Sequence, residues 1–79
     1  MLPVQSKMAR AALGLGVREL GAAAGVSPDT IVRFEKGEAL QARTVAAIRA
    51  AFEAAGVVFI AENGGGAGVR LARREDREA

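Results

Sequence analysis

Gly25-Val26-Ser27-Pro28-Asp29-Thr30-Ile31-Val32-Arg33-Phe34 is the stretch whose reading decides the fold. It opens on a glycine suited to a left-handed turn. Ser27 supplies an N-cap, Pro28 takes the first helical position, and Asp29 puts a negative charge in the first turn. Ile31 and Phe34 share one face of the helix that follows, while Asp29, Val32, Arg33 and Lys36 take the other. Gly37 ends the helix. One face is thus built for burial, and the other is polar and partly basic.

Working outward, Val17 to Ala24 reads as a helix with Leu20 and Ala24 inward. Gly21 is small where two crossing helices approach closely. Together these two helices read as a helix-turn-helix, in which one helix rests on another so that its far face can enter a DNA groove. An earlier helix is expected from Ser6, as N-cap, to Leu13, with Ala9, Ala12 and Leu13 inward and Gly14 and Gly16 as the stop. Residues 38–43 read as a loop. A fourth helix is expected from a Thr44 cap to Gly56, with Val45, Ile48 and Phe52 on one face.

After Gly56 the pattern changes. Val57-Val58-Phe59-Ile60 is β-branched and aromatic, the glycine-rich residues 61–68 have hairpin-loop chemistry, and Val69-Arg70-Leu71 reads as a returning strand. The expected fold is therefore mainly α: a four-helix, helix-turn-helix domain over residues 1–56, followed by a β-hairpin over 57–72. Residues 73–79 form a charged tail, expected to fray. The glycine run does not fit a dinucleotide fingerprint, because Val69 stands where a third glycine is needed and a strand follows.

Composition narrows the function. Seventy-nine residues make one small domain, and a 51% hydrophobic share supports a packed core. Up to residue 60, seven Lys/Arg face five acids, whereas four face four beyond it, so the positive excess belongs to the first part. The absence of cysteine excludes disulfides and thiolate metal sites. Without histidine as well, only carboxylates, lysines and hydroxyls remain for catalysis, and no paired-acid or nucleophile–base arrangement stands out. The chain reads as a non-enzyme with no cofactor, no metal and no small-molecule ligand. No apolar run approaches a membrane span, and residues 1–7 lack the pattern of a signal peptide, so a cytoplasmic protein is expected. Met8 is a second candidate start.

Residues 5 to about 55 resemble the Cro/C1-type (XRE-like) helix-turn-helix domain of phage and bacterial repressors. Leu20, Gly21, Gly25, Val26, Ser27, Ile31, Phe34, Glu35 and Gly37 carry the resemblance, and Thr44, Val45 and Ile48 continue it. The resemblance implies that Arg10 pairs with Glu35, tying the first helix to the third. Three positions depart from the pattern. Val17 stands where many members have a glutamine that touches a phosphate, Pro28 replaces another polar contact, and Gly21 is more often alanine.

The expected partner is a double-stranded DNA operator. Arg33 is the leading base reader, since arginine donates two bonds to guanine, and Asp29 can accept from cytosine. Thr30 and Val32 can meet a thymine methyl. Arg18, Ser27, Lys36, Arg43 and Thr44 are the expected phosphate contacts, which set register and salt dependence. The hairpin is apolar on both faces, so Val57, Val58, Phe59, Ile60, Val69 and Leu71 are expected to form a homodimer. A dimer places two recognition helices on a near-palindromic operator through the major groove. The expected function is a small dimeric transcriptional repressor, of the kind that controls its own, a phage or an anti-CRISPR operon. The alternative is an antitoxin-like module that binds a second protein partner as well as DNA.

Overall fold

A computed structural model describes residues 1–72, so the charged tail at 73–79 lies outside the described residues. Four helices precede a hairpin: α1 (Pro3–Leu13), α2 (Val17–Ala24), α3 (Pro28–Glu35), α4 (Ala42–Ala54), β1 (Val57–Ile60) and β2 (Gly68–Leu71). None of the helices described is long and apolar enough to cross a membrane.

Two helix starts differ from expectation. α1 begins at Pro3, not after Ser6. Proline's fixed φ and missing N–H suit the first helical position, and the Gln5 side chain accepts the free Leu2 N–H at 2.8 Å. Ser6 is not a cap but a fully buried residue inside the helix, and Ala12, expected inward, is exposed. α4 begins at Ala42 after Gln41, which places Thr44 inside the first turn instead of at the cap. The ends of α2 and α3 follow the glycines. Gly25 has φ 72° and Gly37 φ 96°, a region in which other residues are strained. Beyond α3, Gly37 N–H reaches Phe34 O at 2.9 Å and Glu38 N–H reaches Arg33 O at 3.1 Å. That paired closure fixes where the chain leaves the helix.

The core is Ala9, Leu20, Ile31, Phe34, Ile48, Phe52 and Val57, so every helix and β1 contribute to it. The strands pair antiparallel, Val57 with Leu71, Val58 with Arg70, Phe59 with Val69 and Ile60 with Gly68. Side chains alternate across a sheet, so Val57, Phe59 and Val69 share the face turned to the helices. There the Phe59 ring meets Phe52 edge-on, with centroids 6.0 Å apart.

Candidate nucleic-acid interface

α3 is seated by shape before chemistry. Ile31 and Phe34 are buried along its inner side. α2 approaches the 25–27 turn so closely that a Cβ at Gly21 would lie 2.7 Å from Val26 O and 3.2 Å from Pro28 N. Beside that approach Val26 donates its main-chain N–H to Gly21 O at 2.9 Å. Glycine at 21 therefore lets the turn close directly onto α2.

Polar contacts then set how α3 sits. Glu35, on its inner side, receives two bonds from one guanidinium: Arg10 Nη2 to Oε1 at 2.7 Å and Arg10 Nε to Oε2 at 2.9 Å. Ser6 Oγ donates to the same Oε2 at 2.6 Å. The Glu35 side chain is 5% exposed and that of Arg10 23%. Burial pushes the Glu35 carboxyl up, but the bonds from Arg10 and Ser6 outweigh it and hold the group below its ordinary range. Bonding to Glu35 in turn holds Arg10 above its ordinary value. Arg10 also donates through Nη1 to Leu15 O at 3.2 Å, so one side chain joins α1, the α1–α2 loop and α3.

The outer side of α3 presents Asp29, Arg33 and Lys36 exposed, with Thr30 and Val32 half-buried among them. Their spacing of three and four places Asp29, Val32, Arg33 and Lys36 on one helix face. Ser27 and Thr30 are joined at its start. Ser27 Oγ accepts the Thr30 N–H at 3.2 Å, and the two hydroxyls are 2.9 Å apart. Ser27 thus caps the helix, and the Thr30 hydroxyl has a local partner. At the far end Arg33 Nε meets Glu38 Oε1 at 3.4 Å, both half exposed. An exposed pair of this kind contributes little to stability, and among the described residues it leaves the two terminal nitrogens of Arg33 unengaged. Arg18 is exposed in the first turn of α2. Arg43 is exposed in the first turn of α4 with its Nε on Gln41 Oε1 at 2.9 Å, and Thr44 beside it is half-buried. Chemically, the outer side of α3 offers the cations Arg33 and Lys36 beside the Asp29 carboxylate, a mixed set of hydrogen-bond donors and acceptors.

The hairpin residues divide. Val57 is buried in the chain's own core, 3% exposed, so the single chain already covers it. Phe59 and Val69 pack against that core, and the Arg49 guanidinium lies 5.0 Å from the Phe59 ring centroid. Val58 and Ile60, on the opposite face, are only half-buried, and Leu71 is exposed. The glycine-rich loop is ordered by Glu62, whose Oε1 accepts Gly64 N–H at 2.7 Å and Gly66 N–H at 2.9 Å. These backbone bonds hold its carboxyl below the ordinary range.

Sequence reading gives Ser6 the role of a cap and Gln5 none, yet both make long-range contacts. Gln5 is buried, and its Nε2 donates to Ile60 O at 3.1 Å and Gly68 O at 2.9 Å, fastening α1 to both strands. Ser6 joins Arg10 on Glu35. The signal for both was the Pro3 start, which puts Gln5, Ser6, Ala9 and Leu13 along one helical stripe. A comparison of the chain with protein-family models and with curated proteins finds no match in either.

Proposed function

We propose that this chain is a helix-turn-helix transcriptional regulator of the Cro/C1 type, a small repressor that binds its operator as a homodimer. The observation that carries the reading is the division of α3. Ile31, Phe34 and Glu35 lock one side into the protein, while Asp29, Val32, Arg33 and Lys36 line the other. Rigid presentation of a few donors and acceptors is what reading base edges in a major groove requires. Arg33 donates to a guanine, Asp29 accepts from a cytosine, and Thr30 and Val32 meet thymine methyls. Arg18, Ser27, Lys36, Arg43 and Thr44 hold phosphates and fix register. The hairpin brings two copies together, and the pair acts in the cytoplasm without cofactor or chemistry.

The test is selection of bound duplexes from a random pool, followed by Arg33→Ala. The variant is expected to lose preference at one base position, at a cost of about 1–3 kcal/mol. Unchanged affinity and preference would sink the assignment of α3. A second reading, an antitoxin-like partner-binding role, is favoured by one observation. The exposed large hydrophobics are Leu2 at the α1 cap, Val4 and Met8 on α1, and Leu71 on β2, with none on α3. Co-purification with a protein from the same operon supports that reading, and its absence argues for the repressor alone.

A further inference from the structure

The two-stranded sheet has two edges of different chemistry. Ala72 donates its main-chain N–H to Gly56 O at 2.7 Å, in line with the register of Val57 opposite Leu71. Gly56 and Ala72 are therefore a hydrogen-bonded pair, and by alternation so are Val58 with Arg70 and Ile60 with Gly68. The N–H and C=O groups of Val57 and Phe59 then point away from β2, out of the free edge of β1. Those of Val69 and Leu71 point out of the free edge of β2. Among the described residues, no main-chain hydrogen bond joins either edge to another segment.

We propose that the β1 edge pairs antiparallel with the β1 edge of a second copy, making a four-stranded sheet across a two-fold axis. This specifies the dimer of the proposed function and rests on that part of it. Charge selects β1 over β2. Two-fold pairing of β2 through Val69 and Leu71 sets Arg70 opposite Arg70 of the partner subunit, a like-charge pair. Pairing α1 through its outer residues Val4 and Met8 brings Lys7, exposed between them, toward its own copy. Gly56 to Ala61 holds no charge and no proline, so β1 has none of the side chains that guard an edge against pairing. A hairpin alone is marginal, and four strands with an apolar face are not.

The outward groups also set the register. Val57 and Phe59 must form the hydrogen-bonded pairs, Val57 with Phe59 of the partner subunit and the reverse. Val58 then lies on the axis, opposite Val58 of the partner subunit. Centring on Phe59 instead would press together two rings already packed on Phe52 and Arg49. In the Val58-centred pairing, the half-buried Val58 and Ile60 of both copies form one apolar outer face.

The chain has no cysteine, so single-cysteine variants of the full protein report the geometry. Residues facing each other in a non-hydrogen-bonded pair have Cα atoms about 4.5 Å apart, within reach of a disulfide. In a glutathione buffer at micromolar protein, Val58→Cys is expected to form a covalent dimer at least about tenfold faster than Val4→Cys or Ile60→Cys, because pairing raises its effective concentration. Val58→Arg, which opposes two charges on the axis, is expected to give a monomer by sedimentation with unchanged helical circular dichroism. A wild-type dimer in which Val58→Cys links no faster than Val4→Cys, or in which Val58→Arg stays dimeric, overturns edge pairing and leaves the dimer standing. A monomeric wild type overturns both, while binding of one copy to a half-site still tests α3 separately.

Discussion

Replacing Arg10 by alanine removes both guanidinium bonds to Glu35 and leaves a carboxylate that is 5% exposed with one remaining donor, Ser6. Breaking a buried ion pair from one side costs about 3–5 kcal/mol. The truncated side chain admits some water, so the low end, about 3 kcal/mol, is expected here. A chain of this size has roughly 4–12 kcal/mol in total, and the loss corresponds to about 12–24 °C in Tm. The opposite truncation is milder. Glu35→Gln keeps the shape and an acceptor for Arg10, whose 23% exposure lets it reach water, so about 1–2 kcal/mol is expected. pH separates this account from simple loss of packing. In the wild type the folded Glu35 pKa is lowered. Its stabilisation is complete above the unfolded value of about 4.3 and disappears as pH falls through the lower folded value. In Arg10→Ala, burial dominates and raises the folded pKa. That variant therefore gains relative stability as pH falls toward about 4.3, and the gap to wild type narrows. Urea unfolding at neutral pH and near pH 5, with m-values compared, measures both curves. A gap that stays constant with pH, or a Glu35→Gln variant less stable than Arg10→Ala, refutes the reasoning.

Gly21→Ala is expected to destabilise by about 1 kcal/mol, since overpacking of about 1–3 kcal/mol against the Val26 carbonyl exceeds the helix-propensity gain of about 1 kcal/mol. Thermal unfolding decides it, and a higher Tm than wild type would falsify the close approach. Gln5→Ala is expected to cost about 2 kcal/mol, one for each bond to Ile60 and Gly68. Hydrogen exchange should then speed up in β1 and β2 first, with the inner amides of α2 and α3 still protected by comparison. Uniform loss of protection would contradict a local fastening.

Much of the helical scaffold is legible in the sequence because it is written in local chemistry. Gly25, Ser27, Pro28 and Gly37 act on their immediate neighbours, and the bounds of α2 and the start of α3 follow from them. The strands are equally local, since Val57–Ile60 and the residues around Val69 sit either side of a glycine-rich loop. What sequence reading misplaces is polar and long-range. A serine before an apolar run looks like a cap, and only folding brings Ser6 beside Glu35, twenty-nine positions away. Gln5 shows its role only once β1 and β2 reach its amide. Thr44 misleads for a related reason: Gln41 takes the cap position with no side-chain bond, so no cap preference marks that start. The outer face of α3 is readable as a set of residues. Its local pairings, Thr30 with Ser27 and Arg33 with Glu38, depend on rotamers and on the path of the chain beyond Gly37.

Gln5 and Ser6 are neighbours in the chain, yet one holds the hairpin and the other holds α3. α1 therefore acts as a strut between the two ends of the molecule. Both attachments therefore depend on where α1 lies. If α3 reads an operator and the hairpin joins two copies, the distance between the two reading helices is a property of this strut. A substitution at residue 5 or 6, touching neither DNA nor partner, would then alter which half-site spacing the protein accepts.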